Sequence, residues 1–246
     1  MLTPQWPSPD NIRSLITTRT GGVSLAPYAN FNLGEHVGDA SASVSLNRGN
    51  LESYVGAKIE WLTQVHGTQV ADLSGDPCIE VAGDSAITRE RRRVCAVMAA
   101  DCLPILLCDD KGEQVAAVHA GWRGLAAGIV EQTLARFEQR PERIYAYLGP
   151  AISQTHFEVG EDVVEAFLAA EKERPYSEPS AKAFKRGSGE GKFFADIYGL
   201  ARAELNGAGI KGVYGGDYCT YSDRVRFYSY RRDGVTGRMA SLIWLD

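Results

Sequence analysis

The stretch Val94–Gly124, VCAVMAADCLPILLCDDKGEQVAAVHAGWRG, carries the reading of the fold. Val94 to Ala99 and Leu103 to Cys108 are two apolar runs of strand length with an Asp101-Cys102 corner between them. Pro104 cannot donate to a central ladder, so the chain is expected to bend or to lie at an edge there. Asp109-Asp110-Lys111-Gly112 reads as a turn and Gln114 to Ala120 as another strand. Gly121 opens a helix to about Arg136, with Leu125, Ile129, Val130, Leu134 and Phe137 as its buried stripe.

Outward from this centre, Ile12 to Thr18 reads as a strand ending at Arg19-Thr20-Gly21-Gly22. Val44 to Val55 has helical spacing, with Ser41 or Ser43 as its cap. Ile144 to Leu148 is a strand stopping at Gly149-Pro150, and Glu161 to Ala170 and Ile197 to Leu205 are amphipathic helices. Arg226 to Tyr230 and Met239 to Leu245 are expected closing strands. Glu171 to Gly191 is polar and holds Gly187, Gly189 and Gly191, which predicts a mobile surface loop or a lid. Strands and helices mix without strict βαβ alternation, so the fold class is α+β rather than a doubly wound parallel sheet. With no repeat or long linker, 1–246 is read as one domain.

A net charge of −5 argues against a general nucleic-acid binder, and Arg91-Arg92-Arg93 is the only basic run. No apolar stretch approaches the ~20 residues of a membrane span, and the N-terminal residues do not form a secretory signal. The expectation is a cytoplasmic protein with no obligate protein partner evident. Cys78, Cys95, Cys102, Cys108 and Cys219 are odd in number and form no CxxC pair, which disfavours a disulfide framework. Cys95 and Cys108 sit in apolar runs and are expected in the core.

The chemistry-bearing motifs are Gln64-Val65-His66-Gly67, Ala100-Asp101-Cys102-Leu103-Pro104 and His119-Ala120-Gly121-Trp122-Arg123-Gly124. Each of His66, Cys102 and His119 ends an apolar run, where a sheet rim lets separate segments converge. Two imidazoles and a thiolate are a ligand set for zinc with one position open. The same residues also suit a Cys-His nucleophilic pair, with Cys102 attacking and His119 as its base. Asp101 is placed to orient a ligand or to act in acid-base chemistry. The glycine-rich helix start at Gly121 and the fork of Arg123 favour an anion, with Arg19, Arg48, Arg231 and Arg232 as reinforcements.

Taken together, these motifs resemble the YfiH family, historically labelled multicopper polyphenol oxidase or laccase-like. The resemblance runs from Thr18-Arg19-Thr20-Gly21-Gly22 through Phe31-Asn32-Leu33-Gly34, Asn47-Arg48 and the three motifs above. It continues at Leu148-Gly149-Pro150, Asp217-Tyr218-Cys219-Thr220, Tyr230-Arg231-Arg232-Asp233 and Thr236-Gly237-Arg238. Gly83-Asp84-Ser85 departs from the family's more usual Ala-Asp-Gly or Ala-Asp-Ala but keeps the aspartate. The resemblance implies mixed β-sheets packed together and flanked by helices, with zinc held by His66, Cys102 and His119. It implies phosphate-dependent cleavage of adenosine, inosine, guanosine and methylthioadenosine, with adenosine deamination as a companion activity. Some bacterial members are linked instead to editing of peptidoglycan precursors, and the fold is similar to that of toxin deamidases built on a Cys-His pair. The expected partners are thus a small nucleoside and phosphate, with neither nucleic acid nor membrane.

The oxidase label fails on residue counts. A multicopper oxidase holds about four coppers and needs roughly ten histidines. This chain has 4 histidines and no His-x-His. Copper remains only an adventitious occupant of the zinc ligands.

Overall fold

A computed structural model describes residues 1–75 and 81–246; Cys78 lies outside the described residues. The first strands are β1 (Ile12–Ile16), β2 (Ile59–Glu60), β3 (Leu62–Thr63), β4 (Val70–Asp72), β5 (Val81–Ala82) and β6 (Ser85–Thr88). β7 (Val94–Ala99), β8 (Leu103–Asp109), β9 (Val115–Ala120) and β10 (Ile144–Leu148) form the middle of the chain. β11 (Glu158–Gly160), β12 (Phe184–Arg186), β13 (Lys192–Ala195), β14 (Gly212–Gly215) and β15 (Met239–Leu245) complete the set. The helices are α1 (Ser41–Val55), α2 (Trp122–Ala127), α3 (Ile129–Leu134), α4 (Glu161–Glu173), α5 (Ile197–Gly207) and α6 (Tyr230–Asp233). Among the described residues, no helix is long and apolar enough to cross a membrane.

A six-stranded sheet has the order β14-β10-β8-β9-β6-β4, and a four-stranded sheet the order β1-β15-β7-β2. Both mix parallel and antiparallel neighbours, which makes the fold α+β as expected. The two adjacent apolar runs, β7 and β8, belong to different sheets, and the Asp101-Cys102 corner carries the chain from one to the other. Alternation then sorts the side chains. Cys95 and Val97 of β7 meet Leu106, Cys108 and Val115 in the core between the sheets. Val94, Ala96 and Met98 point the other way and pack with Leu51 of α1. Leu103, Ile105 and Leu107 face Leu125, Ile129 and Phe167 of the helices across the six-stranded sheet. Each central strand is buried on both faces, so its sequence reads as an unbroken apolar run. Cys95 and Cys108 are core residues, as expected.

Several expectations are corrected. Pro104 lies in a central strand, opposite His119, rather than at an edge. Its carbonyl accepts from Gly149 N–H at 2.8 Å, and the Gly149 carbonyl, denied a proline N–H, has the Tyr198 hydroxyl 3.0 Å away. The helix expected over 121–136 is broken at Gly128, whose φ of +97° ends α2 before α3 begins. Neither Ser41 nor Ser43 caps α1, whose N-cap is Ala40. Glu171 to Gly191 is no simple loop. It completes α4, forms a short turn of helix at Ser180–Ala183 and supplies β12, which pairs with β13. Arg226 to Tyr230 is not a strand. Phe227 and Tyr228 are buried there, and Ser229 caps α6 by accepting from Arg232 N–H.

Candidate active site

Asp84 organises the first half of the site. It is fully buried just before β6, and its carboxylate accepts from Val65, Gly67 and His66 backbone N–H groups at 3.2, 2.7 and 2.9 Å. This wraps the segment after β3 around one anion and holds His66 at a φ of +61°, a conformation that side-chain-bearing residues rarely adopt. Asp84 Oδ1 also lies 2.9 Å from His119 Nδ1. His119 is the last but one residue of β9, is 3% exposed, and gives its backbone N–H to the Asp84 carbonyl at 2.7 Å. With Nδ1–H donating to Asp84, Nε2 is the nitrogen left for a ligand.

Cys102 enters from the sheet-switching corner. Its Sγ lies 3.8 Å from His66 Nε2, and the rings of His66 and His119 meet edge-on at 4.9 Å. The three ligand atoms lie within 4.8 Å of one another, and this is the one such cluster among the described residues. A tetrahedral zinc with ordinary bond lengths separates its ligands by about 3.3–3.6 Å, so a small inward adjustment of the rotamers suffices. Gly121 sits against all three. A Cβ there would come 3.1 Å from both Cys102 Sγ and His66 Cδ2, and 3.6 Å from His119 Cε1. At Gly124 a Cβ would come 2.8 Å from the Gly67 carbonyl, so its absence lets α2 close on the His66 segment. The two glycines are therefore needed for close approach, and the anion site expected at this helix start loses its basis. α2 spans only Trp122–Ala127, too short for much of a dipole.

The electrostatics match the geometry. Burial alone would raise the Cys102 thiol, but His119 and His66 outweigh it and bring its pKa down to about 6. Burial alone would lower His119, but Cys102 and Asp84 raise its pKa to about 9. Burial would likewise raise Asp84, yet the His119 and Gly67 hydrogen bonds leave its carboxyl below the usual range. As protein groups alone, these residues form a thiolate–imidazolium pair backed by a carboxylate. With the imidazolium proton displaced, they offer two nitrogens and a sulfur to a metal ion, and the residues fit such a group.

Asp101 organises the second half. It is 9% exposed at a φ of +98°. Its carboxylate accepts from the Thr220 hydroxyl at 2.6 Å, the Ser229 hydroxyl at 3.0 Å and Arg231 N–H at 2.7 Å. One oxygen thus holds Thr220 and the other fixes the segment that bears Tyr230 and Arg231, which is a positioning arrangement.

Two cavities, each of about 300 Å³, meet at His66, Ala100, Cys102 and Tyr230. The first is walled by Trp122, Phe157, Ile152 and Ile197, with Arg123 and Arg231 also lining it. The second is lined by His36, Gln64, Met98 and Arg238. Of the five arginines expected to bind an anion, Arg123 and Arg231 therefore reach the site. Arg19 does not. Its guanidinium is taken by the Ala29 carbonyl at 3.2 and 3.1 Å and the Arg224 carbonyl at 3.3 Å, and it stacks on Tyr228. Arg48 is held by the Leu33 carbonyl at 2.9 Å and by Glu35 at 3.1 Å, and it stacks over Trp61. Arg232 donates to the carbonyls of Thr220, Tyr221 and Phe227. The sequence reading missed Asp84 and Arg238 as site residues. Their signal was present in Gly83-Asp84-Ser85 and Thr236-Gly237-Arg238, motifs noted for family likeness but given no role.

Residues 13–246 match the family described as multi-copper polyphenol oxidoreductase laccase. The chain is 48% identical to the purine nucleoside phosphorylase YfiH of Shigella flexneri, over 100% of this chain and 98% of that protein. The chain belongs to the YfiH family. It is 47% identical to the purine nucleoside phosphorylase YfiH of Escherichia coli K12, again over 100% of this chain and 98% of the relative. The crystal structure of the Neisseria meningitidis protein NMB0706 superposes with a TM-score of 0.91 at 50% identity, covering 100% of this chain and 98% of that one. In this chain the mixed sheets bring a His-Cys-His cluster together, and the one cluster of three ligands among the described residues does not make a multicopper centre.

Proposed function

We propose that this protein is a zinc-dependent purine nucleoside phosphorylase acting on adenosine, inosine, guanosine and methylthioadenosine, with adenosine deamination as a side activity. The observation that carries this reading is the junction of two small cavities at His66 and Cys102, with His119, the third member of the cluster, lining the second cavity. A site that joins two reactants needs two adjoining compartments with one reactive centre between them. The names of the YfiH relatives support the phosphorylase class.

The reaction balances without an outside oxidant. An oxygen of hydrogen phosphate bonds to the anomeric carbon while the bond from that carbon to the purine nitrogen breaks. The electron pair goes to the purine, and the phosphate's proton ends on the base. Positive charge grows on the sugar as the bond lengthens, and a bound anion beside it lowers the barrier. When bound, zinc supplies Lewis-acid polarisation of an oxygen or nitrogen at the open position. The chain's own residues do the rest. Asp84 keeps His119 Nε2 and the His66 ring aimed at the centre. Asp101 holds the Tyr230 wall in place. In deamination, water replaces the purine amino group and ammonia leaves.

The test is adenosine incubated with and without phosphate. Ribose-1-phosphate and adenine forming only with phosphate, and not in His119→Ala, is the expected result; their absence in the unaltered protein refutes the reading. A second reading, an amide hydrolase with Cys102 as nucleophile and His119 as base, is favoured by the lowered Cys102 and raised His119 pKa values. Full activity after chelation would decide for it.

A further inference from the structure

We infer that Arg238 forms the oxyanion subsite of this centre, so that phosphate enters the His36 cavity while the purine lies in the Trp122 cavity across Cys102. This deepens the phosphorylase reading and rests on it for the name of the second reactant. The two cavities differ in kind. The first offers flat apolar walls from Trp122, Phe157 and Ile197, which suit the faces of a heteroaromatic ring. Its two cations lie against its aromatic walls. The Arg123 guanidinium lies 4.4 Å over the Trp122 ring, and Arg231 donates to the Glu158 carbonyl at 2.7 Å and lies over Phe157. Both are exposed and open onto a basin that also carries Glu158 and Asp162.

Arg238 is set differently. It is half-buried, and its stem packs where a Cβ on Gly34 would come 2.8 Å from its Cγ. One nitrogen, Nη1, donates to the Thr236 and Gly237 carbonyls at 3.1 and 3.0 Å, and its backbone N–H donates to Asn32 Oδ1 at 2.9 Å. These bonds fix the fork, whose carbon lies 5.9 Å from the centre of the Tyr230 ring, and leave Nε and Nη2 directed at no acceptor among the described residues. No carboxylate among the described residues pairs with it, unlike Arg48 with Glu35 or Arg232 with Asp233. Burial pulls the guanidinium pKa down, against the opposite pull of Cys102, Asp101 and Tyr230 nearby. A rigid fork with two free donors is the geometry that phosphate oxygens accept. The Gln64 amide cannot compete for the role. It is spent on Met98, accepting from its N–H at 2.7 Å and donating to its carbonyl at 2.8 Å.

The experiment uses the metal-containing protein with inorganic phosphate as the probe. Phosphate binding is read by calorimetry and by 31P line broadening, and the KM values for phosphate and adenosine by steady-state kinetics. Arg238→Gln is expected to weaken phosphate binding and raise its KM about tenfold or more, with adenosine KM and metal content within about twofold. Arg238→Lys, which keeps the charge but not the fork, is expected to fall between; it decides the matter should the glutamine variant fold poorly. Unchanged phosphate binding in both variants overturns the inference. So does a larger rise in phosphate KM for Arg123→Gln than for Arg238→Gln. If the unaltered protein splits no nucleoside, the phosphorylase reading falls, and the calorimetry still decides the subsite: phosphate binding lost in Arg238→Gln sustains it, and equal binding overturns it.

Discussion

Two buried aspartates support this site, and they do different work. Asp84 gathers three consecutive backbone N–H groups and the ring of His119, so it holds metal-ligand candidates directly. Asp101, the neighbour of Cys102, gathers hydroxyls and an N–H from residues 220–231, far along the chain. One carboxylate sets the reactive centre and the other sets the wall of the substrate cavities. Proximity in sequence to a ligand is therefore a poor guide. Asp101 adjoins Cys102 yet acts on the wall, whereas Asp84 lies far from every ligand in sequence and touches two of them.

The sharpest way to break this contrast is to remove a ligand. Cys102→Ala or His119→Ala should abolish bound metal and drop phosphorolysis to background, read by elemental analysis and product chromatography. Asp84→Asn should keep the fold but weaken metal binding by about 10–100-fold, measured by competition with a chromophoric chelator. Asp101→Asn should leave metal content intact. It should cost about 1.5–3 kcal/mol in denaturant unfolding and raise substrate KM, because the Tyr230 segment loses charged hydrogen bonds. Equal metal loss in both aspartate variants would erase the distinction.

A pH measurement sharpens the same contrast. In metal-stripped protein, Cys102 should alkylate with a midpoint near pH 6, since its pKa is lowered to about 6. The sign follows from the pair. Above that pH the thiolate is stabilised by a His119 that stays protonated to about pH 9, and below it the thiol protonates and reactivity falls. Asp84→Asn should move the midpoint upward, because His119 then holds its proton less firmly. The smallest effect belongs to Arg19→Gln. With its guanidinium spent on carbonyls and Tyr228, it should lose about 1 kcal/mol of stability and leave both KM values unchanged.

The same contrast explains what the sequence could and could not tell. The apolar runs at 94–99, 103–108 and 115–120 are legible because strands buried on both faces need apolar residues throughout. That same burial erases the alternation that would show β7 and β8 entering different sheets. His66, Cys102 and His119 are legible as chemical types at strand ends. The arginines are not, because what occupies Arg19 or Arg48 is a set of carbonyls supplied by other parts of the chain. Residues 226–230 hold the aromatics of a strand, but Asp101 draws Ser229 and Arg231 into the turn of α6 instead.

The central claim is that His66, Cys102 and His119 together hold one metal ion that phosphorolysis needs. Elemental analysis of protein purified without added metal, side by side with Cys102→Ala, tests it most directly. About one zinc per chain in the unaltered protein and none in the variant is the expected result. Several coppers per chain, or metal-free protein that still cleaves adenosine at full rate, would contradict it.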